Sequence, residues 1–369
     1  MTTAPDQISE RLAQLAATLR ERGAITTDQV HKAFATVERH KCLTSFHYRA
    51  DRFEMPQDIA PPTEVLDLVY SPASLLTVMP APGEPASSTS EPGLMARMLE
   101  ALDLAPGMRV LEIGAGTGYN AALITAITGA EVVTVEAGDE AAAGAAASID
   151  RLGLLDRVRV LHQDGYLGAP DAGTFDRIIV TVGIAGIPPG WFDQLTEEGK
   201  ILAPLAHGGV HPTMAIHSDR SVSAVLWSDF MTAVGPLRPA EVIGRRPGTT
   251  ITGDPKELPA VVGELDATAY NDLWFYLAAR DTRTTRAALD SPEFDPGAGM
   301  CALVADDQRA AWIRRDGSLL RTDTVLGAEL ARLVGAWESV GYPGLGQWSG
   351  TLTPAETNRP LLVPSGWSY

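Results

Sequence analysis

Residues 110–120 read VLEIGAGTGYN: a short apolar stretch of strand character, glycines at every second position, and the beginning of a helical run. Gly114, Gly116 and Gly118 let backbone pass close to a ligand, and the helix that follows offers free N–H groups in its first turn. On its own, such a turn after a strand serves dinucleotides, phosphates or S-adenosylmethionine. The dinucleotide fingerprint is G-x-G-x-x-G, with pyrophosphate on the helix N-terminus. Here the spacing is G-x-G-x-G and Glu112 precedes the first glycine. No lysine follows, which excludes a phosphate-cradling P-loop. A carboxylate at 112 repels pyrophosphate and suits the ammonium or sulfonium of S-adenosylmethionine.

Two more acids extend this reading. Glu136 closes the strand-like VVTVE, 22 residues after Gly114, where a carboxylate can accept both ribose hydroxyls. Asp164, in LHQDG, ends the next strand and can receive an adenine amino group. Three acids at three strand ends converge on the crevice where sheets of this kind bind ligands. The expected cofactor set is therefore Glu112, the turn Gly114, Ala115, Gly116, Thr117 and Gly118, then Glu136, Asp164 and Gly165. The competing account makes these acids ordinary helix caps.

Outward from the turn the periodicity is regular. Leu94 to Leu104 reads as a helix and residues 108–114 as a buried strand. GYNAALITAITG is a helix, AEVVTVEA a strand and EAAAGAAASIDRLG a helix; VRVLHQD, FDRIIVTV and GKILAPLA are strand-like. Alternation of this length implies a parallel sheet covered on both faces. TMAIHSD and SVSAVLWSDF form a hairpin turned at Asp219-Arg220. Upstream, Ile8 to Val37 carries apolar residues at helical spacing, interrupted where Thr26 or Thr27 caps a second helix. Residues 46–86 are proline-rich and read as a long covering loop.

The text from 236 to 258 has the Pro, Gly and Arg content of a linker. Beyond it, LWFYLAARD and LGAELARLVGAWESVG are helical and QRAAWIRRDGSLLR is a hairpin at Asp316-Gly317. The C-terminal tryptophans read first as core, with Trp348 and Trp367, flanked by Gly, Ser and Pro, the better candidates for a binding pair; Arg314 and Arg315 read as solvated or facing an acidic peptide. The expected organisation is N-terminal helices and covering loop at 1–90, a Rossmann-like α/β methyltransferase domain at 91–240, a linker at 241–257, and a smaller α+β domain at 258–369 that binds peptide.

Composition narrows the partners. The 369 residues carry 46 acidic against 29 basic side chains, a formal charge of −17, which disfavours duplex nucleic acid and anionic membrane surfaces. Cys42 and Cys301 lie too far apart for a metal or redox spacing, and the histidines form no metal pattern, so no metal is expected. The N-terminus has no apolar signal core and no run is long enough to span a bilayer; a soluble, cytoplasmic chain is expected.

With these residues in view, the chain resembles the protein L-isoaspartyl O-methyltransferase family over about residues 8–235. The likeness is carried by LAATLRERGAITTDQVHKAFATVERHKCL, by SSTSEPGLMARMLEALDLAPGMRVLEIGAGTGYNAALI, and by DRIIVTVGIAGIPPGWFDQLTEEGKILAPL. SSTSEP falls where the family has Thr-Ile-Ser-x-Pro against the substrate carboxyl and the methyl donor. The resemblance thereby implies Ser90 and Ser88 as catalytic-site hydroxyls and Thr89 beside the substrate, the same segment also capping the next helix. Val182, Gly183 and Ile184, with Ala185, stand where the family has an Ala-Ala-Ala-Pro turn and are implied to contact substrate. The family's Gly-x-Gly-Gln approach is replaced by APGEPAS.

The resemblance implies methyl transfer from S-adenosylmethionine, leaving S-adenosylhomocysteine, to a peptide or protein carrying Asp or isoAsp. Long actinobacterial homologues with a C-terminal extension, associated with ribosomal peptide natural products such as lanthipeptides and graspetides, are similar. On that likeness the first expectation is methylation of an aspartate in a ribosomally made peptide, closing to a succinimide (aspartimide). The alternatives are repair of isoaspartyl damage and a non-catalytic peptide-binding module on this fold.

Overall fold

The computed structural model describes residues 4–57, 59, 61–79, 86–239 and 249–369. The chain opens with α1 (Ala4–Glu21) and α2 (Asp28–Phe34). Thr27 caps α2, its hydroxyl accepting from the Val30 amide. A four-stranded antiparallel sheet follows, built from β1 (Ser45–Tyr48), β2 (Asp51–Glu54), β3 (Leu75–Val78) and β4 (Ser87–Thr89), in the order β2-β1-β3-β4. With α3 (Thr63–Val69) between β2 and β3, much of the expected 46–86 loop is regular structure. Its strands are three or four residues long, too short to show alternation, so composition misled. Residues 80–85, most of the segment replacing the Gly-x-Gly-Gln approach, lie outside the described residues.

α4 (Pro92–Leu102) leads into the central sheet. Its cap is Glu91, not one of the preceding hydroxyls: the carboxylate accepts from the amides of Gly93 (2.8 Å) and Leu94 (2.6 Å), with Pro92 in the first turn. A carboxylate can bond two amides and also meets the positive end of the helix, which is why it displaces serine from this role.

The central sheet contains β5 (Val110–Ile113), β6 (Val132–Glu136), β7 (Val158–His162), β8 (Phe175–Val180), β9 (Leu195–Pro204), β10 (Thr213–His217) and β11 (Ser221–Leu226). α5 (Tyr119–Thr128) and α6 (Asp139–Arg151) make the crossovers. The first five strands are parallel, in the order β9-β8-β5-β6-β7, and β10 and β11 add antiparallel at the β9 edge.

A second, six-stranded sheet is formed by β12 (Thr249–Ile251), β13 (Lys256–Leu258), β14 (Thr284–Leu289), β15 (Cys301–Val304), β16 (Ala310–Ile313) and β17 (Leu319–Arg321), in the order β12-β14-β15-β16-β17-β13. Helices α7 (Ala267–Arg280) and α8 (Thr324–Ser339) start at Asp266 and Asp323, whose side chains accept from Ala269 and Leu326 amides. The expected linker 241–257 is thus partly strand, with 240–248 outside the described residues. Three-residue strands at the two edges of a sheet leave no signal in a Pro- and Gly-rich text.

The chain then returns. β18 (Ser349–Ala355) pairs antiparallel with β11, and β19 (Leu361–Ser368) with β18, bringing the central sheet to nine strands. The expected boundary at 258 therefore separates residues that share one sheet. Alternation along the strands sends Val110, Val132, Ile179 and Leu202 to one face, where they join Phe34, Leu99 and Leu123 of the helices. Leu111, Val133, Ile178 and Ile201 point the other way, into a core shared with Leu273, Phe275, Leu330 and Trp337 of the C-terminal unit. Each such fully buried side chain contributes about 1.5–3 kcal/mol, and through them the C-terminal unit helps cover the second face of the central sheet.

The seam between the two units is specific. Trp274 Nε1 donates to the Gly208 carbonyl (2.8 Å), and His207 Nε2 lies 3.1 Å from the Phe275 carbonyl. Burial pushes the His207 pKa down to about 4, so the ring is neutral and its Nε2–H donates. Trp348 is 1 % exposed and packs among Phe275, Tyr276 and Tyr369. It belongs to the core, in line with the first reading of these tryptophans and against the alternative of a binding pair. Arg314 pairs with Glu257 and Arg315 lies over the Tyr270 ring, so both are engaged within the unit.

Candidate active site

The parallel strands end in a crevice of about 270 Å³ lined by the glycine turn, Glu136, Asp164, the Ser87–Ser90 strand and the segment Asp229–Val234. The turn is held in positive φ at Gly114 (98°), Gly116 (53°) and Gly118 (78°). A Cβ at Gly114 would lie 2.5 Å from Thr181 Oγ1, and one at Gly116 would lie 3.1 Å from the Ser88 carbonyl, so conformation and space both demand glycine. Thr181, just beyond β8, donates its hydroxyl to the Gly114 carbonyl at 2.5 Å and stitches the turn to the neighbouring strand.

Glu136 folds onto the same turn. Its Oε2 accepts from the Gly116 amide (3.0 Å), and its Oε1 accepts from Ala137 (3.0 Å) and Gly138 (3.1 Å). Ala115 and Thr117 line the crevice between the glycines. Asp164 accepts from the Tyr166 amide (2.9 Å) through Oδ1 and faces Arg359 at 3.6 Å through Oδ2. Gly165 is buried below it; a Cβ there would meet Ile113 at 2.8 Å.

Glu112 does not offer the free carboxylate expected. It forms part of the crevice wall but is fully buried, with Oε2 accepting from Thr134 (2.6 Å) and Oε1 from Asn120 (2.8 Å). Burial raises its pKa to about 7; the two hydrogen bonds oppose that and nearby Glu136 adds to it. Glu112 braces the turn from behind: its strand alternates, and position 112 faces the helical layer, where α5 supplies Asn120.

Across the crevice, Ser88 and Ser90 are part-exposed on or just after β4, while Thr89 is 2 % exposed and pairs with Leu75. Ser87, unmentioned in the sequence reading, is buried, and its hydroxyl finds no hydrogen-bond partner among the described residues. It would lie 3.8 Å from a Cβ at Gly116, so an unsatisfied donor faces the turn from the hydroxyl side. Both features, a backbone cradle and an orphaned hydroxyl, fit a polar, extended cofactor.

The Val182–Ile184 segment divides. Val182 lines the crevice. Gly183 packs under the His211 ring, which a Cβ would approach to 2.6 Å, and Ile184 is fully buried, hydrogen-bonded through its backbone to Pro204 and Ala206. Ile184 and Gly183 are therefore scaffold and not substrate contacts. The register of this turn against β9 decides side-chain direction, which motif order cannot reveal.

Sequence reading also passed over Asp229, which lines the crevice. It accepts from Arg286 Nη2 (2.5 Å) and faces His211 Nδ1 (3.3 Å). Burial alone would raise its pKa, but His211 and Arg286 outweigh it and hold the carboxyl below its ordinary value. Arg286 belongs to β14, so the C-terminal unit reaches the crevice there, just as Arg359 reaches Asp164 at the other end. The only local signal was an Asp in the turn after β11. Among the described residues no group of His, Cys, Asp or Glu could hold a metal ion, and no helix is long and apolar enough to cross a membrane.

Known proteins resemble the chain over most of the residues that build this crevice. The sequence profile described as protein-L-isoaspartate (D-aspartate) O-methyltransferase matches residues 10–229. A protein-L-isoaspartate O-methyltransferase of Thermotoga maritima is 36% identical over 181 residues, 48% of this chain and 51% of the relative, so the chain spans about half of that protein's length. One of Thermococcus sibiricus is 34% identical over 193 residues, 52% of this chain and 76% of the relative. A solved structure titled protein-L-isoaspartate O-methyltransferase superposes with a TM-score of 0.55 at 26% identity, covering 96% of this chain and 99% of its own. The fold is thus that of the S-adenosylmethionine-dependent methyltransferases, with further sheets beyond the core domain. Since that structure extends over nearly the whole chain, the C-terminal unit no longer separates a peptide-tailoring enzyme from an isoaspartyl one.

Proposed function

Because the chain belongs to the protein-L-isoaspartate (D-aspartate) O-methyltransferase family, we propose that it transfers a methyl group from S-adenosylmethionine to a carboxylate of an isoaspartyl residue in a peptide or protein. The observation that carries this reading is a single crevice with a glycine turn, Glu136 and Asp164 on one side and Ser88 and Ser90 on the other. When bound, S-adenosylmethionine supplies an electrophilic methyl on a sulfonium.

The residues present suit that group. The Gly114–Gly118 turn gives close backbone approach, Glu136 supplies carboxylate oxygens for sugar hydroxyls, and Asp164 an acceptor for an amino group. On the facing side, Ser90 and Ser88 orient the acceptor oxygens by donating hydrogen bonds. A carboxylate is already ionised near neutral pH, its reference pKa being about 3.9 for Asp, so no strong general base is required. Alignment and water exclusion then supply most of the rate, on the order of 7–11 kcal/mol in well-oriented reactions. The serines must hold the carboxylate loosely, because its charge disappears in the transition state.

The ester formed carries a better leaving group, methoxide departing as methanol, than a free carboxylate does. The backbone nitrogen of the following residue can displace methanol and close a five-membered imide without further help. The deciding experiment offers paired peptides, identical except for Asp or isoAsp, with S-adenosylmethionine, and follows mass. Gain of one methyl on the isoAsp peptide, followed by loss of methanol, is the expected result. Methylation of only the Asp peptide would replace this reading by the tailoring one, and methylation of neither, with intact cofactor binding, would leave a binding module.

A further inference from the structure

Arg39 is 0 % exposed, and among the described residues no carboxylate lies within 4 Å of its nitrogens. A guanidinium in that position needs another source of compensation, since burying an unpaired charge is costly. Main-chain carbonyls provide it. Nη1 donates to Val69 (2.7 Å) and Ser71 (3.4 Å), and Nη2 to Ala73 (3.0 Å), Ser90 (2.9 Å) and Thr89 (3.4 Å). Nε donates to the Thr89 hydroxyl at 3.4 Å. The rigid fork of donors thus ties two separate segments together: the exit of α3 and the hydroxyl strand that faces the glycine turn.

The third neighbour is as informative. The guanidinium lies 5.9 Å from the ring of Tyr119, the first residue of α5 and the one directly after Gly118. One side chain therefore touches the base of the acceptor strand and the helix that carries the donor turn. Nothing in this arrangement serves the outer surface, and a hydrophobic residue of similar volume would take the donor away from five carbonyls.

We propose that Arg39 is the positioning residue of the methyl-transfer site, its fork fixing the Thr89–Ser90 backbone so that Ser88 and Ser90 meet the acceptor carboxylate opposite the glycine turn. This deepens the proposed carboxyl methylation and rests on it. Arg39 touches neither reactant; it acts through the main chain. Lysine keeps the charge but, as a point donor on a flexible stem, cannot hold carbonyls from two segments in one plane.

The test uses the full chain with Arg39→Lys and Arg39→Gly. For Arg39→Lys, kcat on the isoaspartyl peptide, per folded molecule, is expected to fall by about 10- to 100-fold, the effect of a displacement near 1 Å. Its S-adenosylmethionine Kd, by calorimetry, should stay within about threefold. Methylguanidinium, and not methylammonium, should restore Arg39→Gly. Hydrogen exchange read independently of turnover should speed up at the Ser87–Ser90 amides in Arg39→Lys and stay unchanged in α5. That readout separates this proposal from the reaction itself: faster exchange without any methylation sinks the reaction and leaves the positioning role. Wild-type kcat and exchange in Arg39→Lys would overturn the proposal, as would equal rescue by methylammonium. If Arg39→Gly fails to fold, Arg39→Lys decides alone, and cofactor affinity falling in step with kcat counts against the role.

Discussion

The two ends of the crevice are built in opposite ways. At the donor end, the glycine turn, Glu136 and Thr181 come from consecutive strands of one parallel sheet, and backbone conformation does the work. At the acceptor lip, Ser88 and Ser90 come from a separate four-stranded sheet, Asp229 from a turn after β11, and Arg286 from the C-terminal unit. On the proposed assignment, methyl-donor recognition is mostly local in the chain, whereas the acceptor side depends on segments more than a hundred residues apart. A local site tolerates no change in its backbone. A composite one loses function by degrees.

The sharpest way to break that contrast is Gly114→Val. Positive φ for a β-branched residue and a Cβ at 2.5 Å from Thr181 together exceed roughly 3 kcal/mol, so S-adenosylmethionine binding should weaken at least about 100-fold by calorimetry. Near-normal affinity would move the donor elsewhere.

Next is the pH response of Glu112. Its carboxyl titrates near 7 in the fold against an ordinary 4.5, so the folded state retains a proton that the unfolded chain has lost between those values. The resulting stabilisation is complete below the unfolded pKa and is lost as pH rises through about 7, in total roughly 3 kcal/mol. Denaturation midpoints of the wild type should therefore fall from about pH 5 to about pH 7.5 relative to Glu112→Gln, which keeps the shape and cannot ionise. Parallel curves would contradict a protonated brace.

Glu136→Gln removes one charged acceptor and should weaken the cofactor by about tenfold, the effect of a charge-assisted hydrogen bond, while peptide KM stays unchanged. Arg286→Ala should do the reverse: about a fivefold fall in kcat/KM for peptide with cofactor affinity intact, in the range of about 1 kcal/mol for a half-buried pair. A loss of cofactor affinity there would erase the division between the two ends. Arg359→Ala, which removes a half-exposed side chain 3.6 Å from part-buried Asp164, should change S-adenosylmethionine affinity less than about threefold.

How much of this was legible follows the same division. The glycine turn could be read because conformation, spacing and strand-end acids all lie within sixty residues of text, and 3.6- and 2-residue periods mark the elements around it. The Thr27 cap and the Asp219-Arg220 hairpin were equally local. Arg39 was invisible, since a lone arginine after an amphipathic helix reads as surface and its five carbonyl partners lie 30 to 51 residues away. Asp229 and Arg286 meet across 57 residues, and no pattern in either segment points to the other. Ile184 was assigned by motif order, while its burial is set by the β9 strand beside it. For Trp348 both core and binding pair stayed open, because flanking Gly and Ser describe the backbone and say nothing of what packs above it.

The return of β18 and β19 to β11 has a kinetic consequence. The β11–β18 ladder joins residues well over a hundred positions apart, such as Ser221 and Thr351, with an entire six-stranded sheet made in between, and β19 then adds to β18 as a local hairpin. Closing a loop of that length costs chain entropy before the ladder returns it, so the outer edge of the central sheet is expected to pair after the local elements around it. Until then β11 presents an unpaired backbone to any neighbouring chain. A truncation placed after residue 239 would make that transient state permanent, and its signature would be self-association through an open strand, not simple loss of a peripheral module.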